Sequence, residues 1–415
     1  MGHWAHTATS RARARFGGSG QLPEVVGRSD PRARRAWLTR ARGLLRGALT
    51  LRRQPPVPGK LASECVLYSL RFAAVRVSRI QGPRTDHYPG GAPVAGSAQH
   101  RCVVAGDLGG TRFRVALADE QGRFLFRDAV LTEVSEGREA VLGRMKNLLR
   151  AAIDRSVDPV TAIAIAAPGP LDPFRGVIHK APNIPHFENI PIKQAIEDEF
   201  GIPTSLNNDC NLGALGEARY GAGRGLNFLV YITVSTGVGG GVIDRGQMLL
   251  GSTGAATEVG HMTIDMNGPL CGCGNRGCVE SFASGTGIRN QAIAALSAGA
   301  ESSMLGKVGG DIDALRAETV VDAAREGDPL AASIMRKAGY ALGVGVANVM
   351  HLFDPDLIAI GGGVTNAGEL LFAPMREAIA ERAMEYYRQR IRVVPSALGD
   401  DVGLYGAVAF ALDQG

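Results

Sequence analysis

Between Thr257 and Glu280 the chain reads TEVGHMTIDMNGPLCGCGNRGCVE, a segment carrying one imidazole and three thiols. His261, Cys271, Cys273 and Cys278 make the ligand set of a closed tetrahedral zinc site. Gly272, Gly274 and Gly277 allow turns tight enough to aim three sulfurs at one ion. A closed shell of this kind leaves no position for water, so the metal would organise the site without reacting. Such an ion would also fix the flanking Glu258 and Glu280. Buried free thiols, or a disulfide with a spare cysteine, are the plainer readings of the same residues.

A second chemistry is written in glycine turns. Cys102–Ala118 is an apolar strand, a turn and another strand, with Asp107 at the end of the first strand and Gly109, Gly110 and Thr111 after it. Backbone N–H groups of such a turn approach a phosphate closely, and an aspartate beside it can hold Mg²⁺ through water. A tight hairpin explains the same turn without any ligand. Leu229–Ile243 repeats strand, glycine turn and strand, with Ser235, Thr236, Gly237 and Gly239 at the turn. Leu357–Val364 is a buried strand ending in Gly361, Gly362 and Gly363. Neither GxxxxGK[ST] nor a GxGxxG opening a βαβ unit is present, which disfavours P-loop and dinucleotide folds. Two domains gripping one nucleotide fit three separate turns better. Asp209 sits at the end of a strand that begins near Ile202 and ends at Asn208-Asp209, with a helix expected from Asn211. A carboxylate at a strand's C-terminal end can take a hydroxyl proton during phosphoryl transfer, or simply cap the helix. Asn183 and Asn208 suit sugar hydroxyls, since carboxamides both donate and accept. Glu258 and Glu280 would accept from other hydroxyls, and His261 could bind zinc through one nitrogen and a hydroxyl through the other.

The elements that hold these residues need a large chain, and 415 residues with 45% apolar and 20% charged composition supply two or more domains. No apolar run approaches the roughly 20 residues of a membrane span. Cys65, Cys102 and Cys210 are scattered outside the cluster, which suits a reducing cytoplasm and no disulfide framework. Charge divides sharply along the chain. Residues 1–100 hold 17 Lys+Arg against 4 Asp+Glu, and residues 101–415 hold 28 against 36. The basic part is rich in Pro, Gly and Ser and reads as a disordered extension or a stretch upstream of the natural start. Within it only Trp37–Leu51 could form a basic amphipathic helix, of the kind that lies on a membrane, binds nucleic acid or belongs to a transit peptide. The acidic main part argues against nucleic acid as its own ligand.

Taken in order, these segments resemble the ROK family of sugar kinases and repressors, and within it the bacterial glucokinases. The match runs through DLGGT at Asp107–Thr111, PGP at Pro168–Pro170, PN at Pro182–Asn183, NDCN at Asn208–Asn211 and STGVGGG at Ser235–Gly241. It continues through EVGH at Glu258–His261, CGCGNRGCVE at Cys271–Glu280 and GGGV at Gly361–Val364. The resemblance implies an α/β, actin-like (RNase H-like) ATPase fold of two domains with ATP and sugar in the cleft. The domains would span residues 101–220, completed by a C-terminal helix near 403–415, and residues 221–402 with the zinc loop. It implies Asp209 as general base on a glucose 6-hydroxyl, with Asn183, Asn208, Glu258, His261 and Glu280 as sugar ligands. Asp107, Gly109, Gly110, Thr111, Arg112, Thr236 and Gly237 would contact phosphate, and Gly361–Gly363 the adenosine side. Cofactors would be ATP, Mg²⁺ and structural Zn²⁺, and the assembly a homodimer or tetramer. Three positions depart from the family pattern: Arg112 stands where Lys or Asn is common, Thr257 where glycine is usual, and Cys210 where a small apolar residue is. N-acetylmannosamine kinase, fructokinase, a polyphosphate-driven kinase and a sugar-responsive repressor are the alternatives within the family. The repressor would need a helix-turn-helix, for which residues 1–100 offer at most one helix.

Overall fold

The structure is a computed structural model and describes residues 100–414 apart from 182, 183, 185 and 186. The expectations for the basic segment up to residue 99 and for Asn183 lie outside the described residues.

Two five-stranded sheets repeat one strand order. In the first, β1 (Cys102–Leu108), β2 (Arg112–Asp119) and β3 (Phe124–Leu131) form the expected antiparallel meander. Strands β4 (Val160–Ala167) and β8 (Thr204–Asn208) extend it in parallel from β1, giving β3-β2-β1-β4-β8. In the second, β9 (Phe228–Val234), β10 (Val238–Asp244) and β11 (Gln247–Met248) form the meander. Strands β12 (Leu357–Gly361) and β13 (Arg392–Pro395) extend it in parallel, giving β11-β10-β9-β12-β13. The two glycine turns read from sequence therefore occupy equivalent corners of equivalent sheets. A third, small sheet comprises β5 (Leu171–Asp172), β6 (Val177–Lys180) and β7 (Glu188–Ile190).

Helices cover the outer faces. On the first sheet these are α1 (Arg138–Ile153) and α2 (Ile192–Phe200), whose Met145, Leu149 and Ile196 share a core with Phe113, Ile163 and Ile165. On the second sheet lie α4 (Val279–Ala283), α5 (Gly285–Ser297), α6 (Met304–Lys307), α7 (Ala317–Arg325), α8 (Pro329–Phe353), α9 (Glu369–Arg382) and α10 (Glu385–Arg390). The longest, α8, starts at Pro329 with Asp328 capping the Ala331 N–H at 2.9 Å. Among the described residues no helix is long and apolar enough to cross a membrane.

Two helices lie between the sheets. Helix α3 (Asp209–Arg219) follows β8 and packs on β9 and β10, while α11 (Val402–Gln414) follows β13 and packs on β1 and β4. Each is buried nearly all round, which explains the lack of a one-sided apolar stripe in either sequence. The strands prepare for this by alternation. On β4, Ile163 and Ile165 face the outer core, whereas Ala162, Ala164 and Ala166 face the helix pair. At the crossing of α3 and α11, Gly216 faces the Val402 carbonyl and the Gly406 backbone, and a Cβ on Gly406 would land on the Leu212 carbonyl.

Gly406→Ala is accordingly expected to destabilise the fold by roughly 2 kcal/mol or more, because backbone cannot yield to the added methyl. Gly143 lies within α1 with nothing in reach of a Cβ, so Gly143→Ala is expected to stabilise by about 0.5–1 kcal/mol. Urea denaturation midpoints of the two variants should move in opposite directions. Equal shifts would contradict the account of the crossing.

Candidate active site

The catalytic candidates collect where strands end and helices begin, at the C-terminal edges of both sheets. A cleft of about 460 Å³ receives Asp107, Gly109, Gly110 and Asp209 from the first sheet and its helix α3. The second sheet and its loops contribute Thr236, Gly237, Glu258, His261, Glu280, Gly362 and Gly363. Thr111 and Arg112 are exposed just beyond this lining, Gly361 is buried behind it, and Asn208 borders a smaller adjoining cavity with Glu258.

Helix α3 begins at Asp209, two residues earlier than its sequence pattern suggests, because Asn208 is its cap. The Asn208 Oδ1 accepts from the N–H groups of Cys210 at 2.9 Å and Asn211 at 3.3 Å. That occupies its acceptor and leaves its amide N–H₂ for a ligand. Asp209 is thereby relieved of capping. Its Oδ1 accepts from the Cys210 N–H at 2.8 Å and from the Cys210 thiol at 3.3 Å. Among the described residues Oδ2 accepts no hydrogen bond. The glycine run of β10 brings this helix close: a Cβ on Gly241 would strike the Cys210 carbonyl at 2.5 Å. Part of STGVGGG thus serves backbone packing against α3 and not a phosphate.

The cleft is strongly acidic. Asp107, Asp209, Glu258, Glu280 and Asp400 line it, and the one arginine among its lining residues is Arg114. Arg114 pairs with Asp107 Oδ2 and donates to the Asp400 carbonyl at 2.5 Å. Burial pushes the Asp107 carboxyl up, while the Arg114 guanidinium pulls it down. Burial, with the charge of Asp107 beside it, pushes Asp209 up to about 6, and the Cys210 donors oppose the rise. Neutralisation by Arg114 escaped the sequence reading, which weighed its neighbour Arg112.

The cysteine segment folds as one knot. The Nδ1 of His261 and the Sγ atoms of Cys271, Cys273 and Cys278 lie within 4.8 Å of one another. His261 Nδ1 stands 3.7 Å from Cys271 Sγ, and Cys273 Sγ stands 3.8 Å from Cys278 Sγ. Sulfurs on a tetrahedral zinc, with bonds of about 2.3 Å, would be separated by about 3.8 Å, so the donor set and its spacing fit that ion. Glu280 connects this knot to the glycine turn before β10. Its Oε2 accepts from the Val238 N–H at 2.9 Å, and its Oε1 accepts from the Cys271 thiol at 3.4 Å. Thr257 holds a left-handed φ of 70°, and its hydroxyl donates to the Gly240 carbonyl at 3.0 Å. For a β-branched residue that backbone costs about 1–2 kcal/mol, which is the physical content of its departure from glycine.

A second cavity, of about 700 Å³, adjoins the cleft through Ser235, Thr236 and Gly363. Leu315, Val321, Val364 and Ala367 give it apolar walls, and Arg289 braces its rim by donating to the Leu315 carbonyl at 2.7 Å. Apart from Val364, which ends the GGGV segment, no sequence motif marks these residues, since they come from separate helices and turns.

The family model described as ROK family matches residues 103–414. A glucokinase of Thermotoga maritima is 37% identical over 315 residues, covering 75% of this chain and 98% of that protein. A xylose repressor of Caldicellulosiruptor bescii is 28% identical over 317 residues, covering 75% of this chain and 78% of that protein. Among solved structures, a ROK family glucokinase from Streptomyces griseus in complex with glucose and AMPPNP matches with TM-score 0.65 and 34% identity, covering 76% of this chain and all of that one. The duplicated sheets, the helix pair between them and this cleft are therefore those of an actin-like sugar-kinase fold, and the chain belongs to the ROK family.

Proposed function

We propose that this protein is an ATP-dependent hexokinase that phosphorylates glucose at the 6-hydroxyl. The observation that carries the reading is Asp209: a carboxylate at a helix start in the cleft, flanked by both glycine turns, with one oxygen unclaimed. Asp209 Oδ2 would take the 6-hydroxyl proton as that oxygen attacks the γ-phosphorus and the bond from that phosphorus to the β,γ-bridging oxygen breaks, ADP leaving with the electron pair. Asn208 would donate its amide N–H, and Glu258, His261 and Glu280 would position the remaining hydroxyls. Asn183 belongs to the same proposed sugar set. Gly109, Gly110, Thr111, Arg112, Thr236 and Gly237 would receive the phosphates. Gly361–Gly363 would lead to the adenosine in the second cavity, whose Leu315, Val321, Val364 and Ala367 would face the base. The carboxylate oxygens of Asp107 are the hard donors Mg²⁺ prefers, and that ion would supply charge neutralisation on the phosphates. His261, Cys271, Cys273 and Cys278 would hold Zn²⁺, which would supply a rigid cross-link beneath Glu280. Relatives include repressors, so a sugar-sensing role is the competing reading. The extent of the matches favours the kinase: the Thermotoga glucokinase is covered over 98% of its length and the repressor over 78%.

Purified protein with ATP and Mg²⁺ should turn over glucose faster than mannose, fructose or N-acetylmannosamine. Preference for another of these sugars would overturn the substrate, and sugar binding without turnover would favour a repressor. Asp209→Asn is expected to lower kcat by about 100- to 10,000-fold with glucose affinity by calorimetry little changed. In the native protein kcat/KM should fall as pH drops through about 6, because only the ionised carboxylate accepts a proton.

Stability should show the opposite sign. A folded pKa of about 6, above the ordinary 3.8, means that ionised Asp209 destabilises the fold fully above pH 6, and that this cost vanishes as the carboxyl protonates. Asp209→Asn should therefore melt above the native protein at pH 8, with the margin shrinking below pH 6. A lower melting temperature at pH 8 would contradict the strained base.

Cys273→Ser is expected to lose bound zinc, read by elemental analysis, and to raise the glucose KM by roughly 10-fold or more. Unchanged metal content and KM would remove the zinc assignment.

A further inference from the structure

Glu217 is a fully buried carboxylate to which the chemistry above gives no task. It lies two turns after Asp209 on α3, and a buried carboxylate persists only where donors serve it. The donors come from two distant stretches of chain. Oε2 accepts from the Ala222 N–H at 2.8 Å, in the connection from α3 to β9. Oε1 accepts from the Ser396 hydroxyl at 2.6 Å and the Leu398 N–H at 3.0 Å, in the connection from β13 to α11. The first is the passage from α3 into the second sheet at β9, and the second is the passage from β13 back to α11 against the first sheet. Each is glycine-rich, with Gly221, Gly223 and Gly225 in one and Gly399 and Gly403 in or just beyond the other. Hinges between closing lobes are a few residues of this kind, able to absorb backbone rotation.

We propose that Glu217 is the positioning residue of the hinge: one carboxylate fastens both passages, so that α3 and the Asp209 at its head turn about a fixed point when the lobes close. The two oxygens have separate duties, so both must be acceptors. A glutamine offers one acceptor, and its N–H₂ would oppose either the Ala222 N–H or the Ser396 and Leu398 donors. Glu217→Gln therefore releases one passage while preserving size. The turnover arm of the test rests on the kinase reading, whereas the exchange arm does not.

The test is amide hydrogen exchange on the full chain with and without saturating glucose, together with kcat and the calorimetric glucose Kd. In the native protein the amides of Ala222 and Leu398 should be protected. In Glu217→Gln exchange should rise in at least one passage, and kcat should fall about 10- to 100-fold through misplacement of Asp209, with glucose Kd nearly constant. Ser396→Ala, which deletes one donor and leaves no charge unserved by the other two, should move both readouts the same way by less. Native exchange at both passages and native kcat in Glu217→Gln would overturn the proposal, as would a kcat loss matching the loss of folded protein. Should Glu217→Gln not fold, Ser396→Ala alone decides, with native exchange and kcat overturning it. A native protein that protects both passages yet phosphorylates no sugar would refute the kinase reading and support the clamp.

Discussion

Everything in the site depends on the close crossing of α3 and α11. Helices carrying ordinary side chains pack with axes about 8–10 Å apart, and glycine at the contact allows closer approach. Gly216 and Gly406 place backbone against backbone there. The alanine faces of β1 and β4 then close over α11, and β9 and β10 close over α3. The consequence is geometric. Two sheets of the same topology meet with their C-terminal edges facing one cleft, so Asp107 and Asp209 come together with the turns over Ser235–Gly237 and Gly362–Gly363.

That convergence also crowds like charges into one cleft. Five carboxylates share the lining with one arginine, and burial weighs on two of them, Asp107 and Asp209. The outcome is unequal. Asp107 has Arg114 beside it, whereas Asp209 has only an N–H and a thiol and is pushed up to about 6. A carboxylate with that pKa is a far better proton acceptor near neutral pH than an ordinary one, while remaining ionised. Proposed binding of Mg²⁺ and ATP would bring charges of both signs into this field, while Glu280 keeps its hold on the Val238 N–H beside the cysteine knot.

How far the site could be read from sequence follows from how local each signal is. The meander from Cys102 to Leu131, the strand before Asp209 and the cysteine knot are consecutive in the chain, and their patterns carried over directly. The sequence placed the start of α3 at Asn211 because Asn208 and Asp209 are equally good caps; only the backbone tells which one does it. The sequence placed Ser235, Thr236, Gly237 and Gly239 at a turn and left Gly241 without a task, yet Gly241 is required by α3, a contact that no local pattern encodes. Arg114, Glu217 and the helix-borne walls of the second cavity were invisible for the same reason. Each acquires meaning from partners far away in sequence: Asp400 for Arg114, Ser396 for Glu217, and four separate elements for the cavity.

The most direct test of the central claim is the identity of the product. Protein, glucose, ATP and Mg²⁺ should be incubated together and the sugar examined by phosphorus and carbon NMR. Glucose 6-phosphate, with ADP formed in equal amount, is the predicted result. Phosphate on another hydroxyl would contradict the placement of the base, and ATP left intact beside bound glucose would contradict the kinase itself.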